Sequence, residues 1–186
     1  MLKTSYKHLN TVQKGSFAEA YAKMAFTLEG FEVYTTEYDD RGVDFVIRNN
    51  DGIYFCVQVK AAGESVNPFV YAEKFHVSQD LLLCAIRLIE GDVPEIYLAA
   101  GTDWDEEKEC PHFNPGGGNA GAYYELRFAK RYSGSLKRHR FENYVQHLRR
   151  SHAVAPERIA PSAAGNGDRA TPIENSGATE GPPSVS

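Results

Sequence analysis

Residues 14–60 read KGSFAEAYAKMAFTLEGFEVYTTEYDDRGVDFVIRNNDGIYFCVQVK, and the change of period inside this stretch decides the fold. Its first half repeats apolar residues at helical spacing. Phe17, Ala20, Tyr21, Met24, Ala25 and Leu28 stand at i, i+3, i+4, i+7, i+8 and i+11, and Gly30 stops the pattern. The spacing predicts a helix over 15–29 that buries this stripe. Three runs rich in β-branched and aromatic residues follow, FEVYTTEY, VDFVIRN and IYFCVQVKAA, the last two separated by a turn at Asn50, Asp51 and Gly52. A three-strand meander is expected, with the Asp-Gly pair favouring a tight hairpin.

Beyond residue 60, EKFHV predicts a further short strand, Ser78 an N-cap, and LLLCAIRLIEG a helix. PEIYLAAG and AYYELRFA predict two more strands, and LKRHRFENYVQHLRR a terminal helix. The order of these elements predicts an α/β fold in which a mixed central β-sheet is flanked by helices. From residue 151 the chain turns to Pro, Gly, Ser and Ala with no aromatic residue. Such a segment buries too little apolar surface to offset its ordering entropy, so one folded domain over 1–150 and a disordered tail over 151–186 are expected.

Composition narrows the function classes. No run of about 18 apolar residues is present and the N-terminal stretch lacks a signal-peptide core, which predicts no membrane span and a cytoplasmic location. Three cysteines, Cys56, Cys84 and Cys110, form neither an even set nor a C-x-x-C pair, which argues against a disulfide framework. The net charge of −5 conceals an uneven distribution: residues 127–152 hold eight basic side chains and one acidic, while residues 1–126 hold 10 basic and 20 acidic. A basic segment on an acidic chain points to a polyanionic partner.

The candidate chemistry lies at one sheet edge. Strand alternation sends Ile53, Phe55, Val57 and Val59 to one face and Tyr54, Cys56, Gln58 and Lys60 to the other, so Gln58 and Lys60 project together. Asp44, just after Arg41 and Gly42, starts the preceding strand, where a hairpin sets it across from the end of the next. A carboxylate, a carboxamide and an ammonium therefore converge. Glu19 is a fourth polar candidate on a helix apolar nearly all round. A helical wheel puts it opposite the Phe17–Leu28 stripe, so it reaches the sheet only if the face of Ala18, Ala22 and Phe26 is also covered.

These residues resemble the core of the PD-(D/E)xK nucleases, and among them most the archaeal Holliday junction resolvases and Mrr-type restriction endonucleases. Glu19 matches the helix glutamate, Gly42-Val43-Asp44 the strand with the family's aspartate, and Gln58-Val59-Lys60 the (D/E)-x-K strand, here a Q-x-K variant. The resemblance covers about residues 14–60. Downstream, KFHVSQDL and PEIYLAA also resemble small nuclease-like families of unassigned function. The resemblance implies a restriction-endonuclease-like core and Mg²⁺- or Mn²⁺-dependent hydrolysis of DNA phosphodiesters. In that implied site Asp44 and Glu19 hold the metal through carboxylate oxygens and Val59 through its carbonyl. Lys60 acts on the attacking water or the phosphate, and the neutral oxygen of Gln58 makes the metal site weaker than an acid would.

In the terminal segment Phe141, Tyr144, Val145 and Leu148 predict an apolar stripe that leaves Lys137, Arg138, Arg140, Arg149 and Arg150 outward, as phosphate contacts or as a plain solvated face. His76 and the other histidines lack ligand spacing, and Cys110-Pro111-His112 has no second pair to complete a zinc site. Gly116-Gly117-Gly118 predicts a flexible excursion, Trp104 a packing anchor, and the acidic run Asp103–Glu109 a stretch that repels DNA. The reading is thus a DNA endonuclease with no membrane partner, leaving open a homodimer and an RNA or nucleotide substrate. Its rival is a catalytically inactive nuclease-fold module that binds nucleic acid or a protein.

Overall fold

Asn10 starts the first helix through a capping box: its side chain accepts from the Gln13 N–H, and the Gln13 side chain accepts from the Asn10 N–H, both at 2.9 Å. Helix α1 spans Thr11–Leu28, four residues longer at its N-terminus than the apolar spacing suggested. The computed structural model describes residues 4–35, 42–75, 77–104, 110–117 and 121–150. The expected tail over 151–186, His76, Arg41, Gly118 and most of the acidic run lie outside the described residues.

The face that α1 buries is the narrow one. Ala18, Ala22 and Phe26 are fully buried, whereas Met24 is 51 % exposed and Leu28 79 %. The predicted stripe is therefore displaced to the outer flank, because two alanines let the helix backbone approach the sheet closely while the bulky stripe does not. Phe26 fills the space that remains, meeting Phe31, Phe45 and Phe141 edge-on at 5.6, 5.9 and 5.1 Å between ring centroids.

Strands β1 (Glu32–Thr35), β2 (Phe45–Arg48) and β3 (Tyr54–Gly63) form the predicted antiparallel meander. The β2–β3 turn uses Gly52 in the left-handed region, φ +85°, where a side chain would be strained. Asn49, 3 % exposed, holds this turn: its Oδ1 accepts from the N–H groups of Asp51 and Ile53, and its Nδ2 donates to the Leu148 carbonyl at 2.9 Å. Asn49→Ala leaves these buried groups unpaired and should cost about 1–3 kcal/mol of unfolding free energy. Chemical denaturation checks this, and an unchanged midpoint would refute it.

The apolar run LLLCAIRL is a strand, not the predicted helix. Strand β5 (Leu81–Leu88) lies parallel to β3 and antiparallel to β6 (Glu95–Ala100), giving one mixed five-stranded sheet in the order β1-β2-β3-β5-β6. Leu82 to Ile86 are all buried, because this strand is covered on both faces, and a continuous apolar run is what such a strand requires. Ser78 caps nothing in this arrangement; its backbone lies against Gly101, where an added Cβ would stand 2.4 Å from Ser78 atoms.

Helix α1 and helix α3 (Phe141–Arg150) cover one face of the sheet around Phe26, Val57 and Leu98. The other face is covered by a second, three-stranded sheet, β4 (Phe69–Tyr71), β8 (Tyr123–Glu125) and β7 (His112–Asn114), in the order β4-β8-β7, of which the sequence predicted only β8, at AYYELRFA. With it packs the short helix α2 (Ser133–Leu136), and Phe75, Leu83, Tyr97, Tyr124 and Leu126 form this second core. The predicted strand at EKFHV is instead a 3₁₀ turn, Ala72–Lys74, followed by the buried Phe75. Trp104 is a packing residue as expected, against Phe75 and Tyr124.

The terminal helix predicted from residue 136 is interrupted. Lys137–His139 is a 3₁₀ turn, and Arg140 leaves the helix to bridge Tyr97 before α3 begins. That bridge occupies the outer edge of β6, an edge strand whose free N–H and C=O groups need a partner. Among the described residues no helix is long and apolar enough to cross a membrane.

Candidate active site

The backbone leaves the β2–β3 ladder at Asp44, and this departure creates the candidate site. Phe45 pairs with Val57, and the Asp44 N–H also goes to the Val57 carbonyl at 2.9 Å, so β2 offers no backbone partner to Val59. The Val59 N–H is satisfied instead by the Asp44 carboxylate, whose Oδ2 accepts it at 2.5 Å. Peptide groups of alternate strand residues point to opposite neighbours, so the Val59 carbonyl faces the same open side as its N–H. A fixed carboxylate and a backbone carbonyl therefore share one side of β3.

Lys60 is next along β3, half-buried, on the same face as Gln58. Gln58 is 5 % exposed, with its amide against Gly42, where an added Cβ would stand 2.7 Å from Nε2. Gly42 has φ +73°, so the chain entering the site needs glycine both for conformation and for the space Gln58 takes. The Asp44 charge is also felt in the core. Burial first, and the Asp44 carboxylate second, push the Cys84 thiol pKa well above its usual range, leaving it inert.

Glu19 is half-buried at the margin of the α1 face that packs on the sheet. One turn later on the same flank, the Lys23 ammonium lies over the Phe45 ring, 5.6 Å from its centroid. The opposite flank carries Phe17, stacked against Tyr21, and the Tyr21 hydroxyl donates to the Pro94 carbonyl at 3.5 Å. Helix α1 thus turns Tyr21 towards the loop before β6, and the Glu19–Lys23 flank towards the start of β2. The condition set by the helical wheel is met, since the second face is the covered one. Lys23 is a cation near the site that sequence spacing gave no reason to single out.

Among the described residues no three His, Cys, Asp or Glu side chains cluster to hold a metal ion. The oxygen donors at the start of β2 are few: the Asp44 carboxylate, which accepts from Val59, the Val59 carbonyl, and Glu19 on the neighbouring flank. This set matches Mg²⁺, which keeps several waters and is commonly bound through one or two carboxylates, and does not match zinc. The Cys110 sulfur sits against the Arg127 backbone, accepting its N–H at 3.3 Å.

The structure divides the five basic candidates. Arg140 is engaged with Glu95 at 2.7 Å and lies over the Tyr97 ring, and Arg149 with Glu29 at 2.6 Å. Both hold the fold's own elements together. Burial alone would raise the Glu95 carboxyl, but the Tyr97 hydroxyl, Arg140 and Arg87 hold it below the usual carboxylate range. Lys137, Arg138 and Arg150 are exposed on the same segment.

No family model matches the chain, and no curated protein does. One solved structure similar to it is that of a bacterial homing endonuclease, I-Ssp6803I, at 18 % identity and a TM-score of 0.48, covering 75 % of this chain and 93 % of that one.

Proposed function

We propose that the chain hydrolyses phosphodiester bonds of nucleic acid, DNA first among the substrates, at the site formed by Asp44, Val59, Lys60 and Glu19 with a divalent ion. The observation that carries this reading is the Asp44 carboxylate held by the Val59 N–H one residue before Lys60. Asp44, Glu19 and the Val59 carbonyl would hold Mg²⁺ or Mn²⁺. The ion, when bound, supplies Lewis acidity at a phosphate oxygen and a more acidic water. Lys60 orients that water or neutralises charge developing on the phosphate, a role open to an ammonium next to the carboxylate. Lys137, Arg138 and Arg150 add sequence-independent affinity. Incubation of the pure protein with supercoiled, linear, branched and single-stranded DNA, with and without Mg²⁺ or Mn²⁺, tests the proposal. Cleavage confined to the divalent arms is expected, and none on any substrate would refute it.

A second reading, a binding module that has lost catalysis, is favoured by Gln58, a buried neutral amide where a third acid would stand. Gln58→Glu separates the two. In a weakly metallated nuclease the added charge should lower the Mg²⁺ concentration needed for half-maximal cleavage, on the order of tenfold, the equivalent of about 1.4 kcal/mol. A module without catalysis should show nucleic-acid binding and no cleavage in either form at any divalent concentration.

A further inference from the structure

Covering the outer edge of β6 builds a second polar site, distinct from the one at Asp44. His139, 1 % exposed, has Nδ1 2.8 Å from the Leu98 carbonyl and Nε2 3.0 Å from Arg138 Nε. A carbonyl only accepts and a guanidinium only donates, so the imidazole carries its proton on Nδ1 and accepts at Nε2. Arg138 is thereby fixed through Nε, and the planar guanidinium keeps its end-on pair of terminal N–H groups for another acceptor.

Arg138 lines a cleft of about 350 Å³ with Thr102, Asp103, His139, Tyr144 and His147. Among the described residues that line it the acid is Asp103, whose Oδ2 accepts from the Ala100 N–H at 2.8 Å and from the Tyr144 hydroxyl. Burial and that carboxylate push the Tyr144 pKa far up, so its hydroxyl remains a neutral donor. The His139 and Tyr144 rings stack at 5.6 Å, which fixes the wall behind Arg138. The cleft thus combines the Arg138 guanidinium with Thr102 and His147 in its lining, residue types suited to a tetrahedral oxyanion.

Its place in the fold relates it to the first site. Leu98, which holds His139, pairs with Cys84, and Cys84 with Val59, whose N–H Asp44 binds. One row of the sheet therefore runs from Leu98, at the edge that His139 covers, to Asp44 across three strand spacings, roughly 15 Å. That is the span of a few nucleotides.

We propose that this cleft binds one phosphate of a nucleic-acid backbone, with Arg138 as the contacting residue and His139 as the residue that positions it. The ligand's identity rests on the nuclease reading, whereas the oxyanion chemistry does not, and two measurements keep them apart. In the first, inorganic phosphate is titrated to tens of millimolar while the Arg138 Nε and His147 imidazole signals are followed by NMR. Saturable shifts are expected in the wild type and none in Arg138→Gln. His139→Phe, which fills the space without an acceptor, should lose the shifts, and His139→Gln should restore part of them. Shifts unchanged in Arg138→Gln, or absent from the wild type, overturn the site. Shifts retained in His139→Phe overturn the positioning role.

In the second, duplex binding is measured against salt without a divalent ion. Arg138→Gln should flatten the log–log slope by about 0.9, one phosphate contact, and weaken binding alike for unrelated sequences. If the wild type binds phosphate in the cleft and no nucleic acid, the nucleic-acid assignment falls and an anion site stands.

Discussion

Asp44→Asn should abolish hydrolysis while leaving the fold intact, and it is a sharper test than alanine. The asparagine side chain keeps an oxygen that can accept the Val59 N–H, the bond seen at 2.5 Å, and removes only the charge that a divalent ion needs. Asp44→Ala removes both, so it should also cost about 1–3 kcal/mol of stability through the unpaired Val59 N–H. Lys60→Ala should lower kcat by roughly 10²–10⁴-fold, the usual range for a group acting on the proton or on developing charge. The two residues are separated by a second readout. Divalent binding by calorimetry should weaken in Asp44→Asn and hold in Lys60→Ala, because an ammonium beside the ion repels it. Wild-type cleavage by Asp44→Asn would show that the carboxylate is only a strand-end hydrogen-bond acceptor.

The parts of this site that the sequence revealed are those governed by short-range periodicity. Alternation along IYFCVQVK put Gln58 and Lys60 on one face, and the Asp-Gly turn set the register that brings Asp44 to Val59. The parts it concealed depend on what covers each surface. LLLCAIRL suits a buried helix or a buried parallel strand, and only β3 and β6 on either side decide between them. Of the small sheet only β8 was legible, as the strand expected at AYYELRFA; β4 and β7 escaped notice because each is three residues long, too short for a period to show. The break at Arg140 likewise has no local signal; it follows from the demand of the β6 edge for a partner at Tyr97. His139 looked unremarkable in the sequence for the same reason, since its ring is held by Arg138 and by a carbonyl 41 positions away in the chain.

The largest expected effect on stability tests which face of α1 is buried. Phe26→Ala should cost about 3–5 kcal/mol, because the ring is fully buried and its edges meet Phe31, Phe45 and Phe141, three elements that do not relax together into one cavity. At a few degrees per kcal/mol this is a fall in Tm of roughly 10 °C or more. Met24→Ala and Leu28→Ala, both on the stripe that periodicity favours, should each stay within about 1 kcal/mol, since at 51 % and 79 % exposure there is little apolar contact to lose. The reverse order would mean that α1 is rotated and that Glu19 faces away from β2. The consequence reaches the site, because Phe26 packs on Phe45, the residue after Asp44, and Lys23 lies over the same ring. Phe26→Ala should therefore lose activity at temperatures where circular dichroism still reports a folded chain. Met24→Ala should retain activity up to its own melting transition.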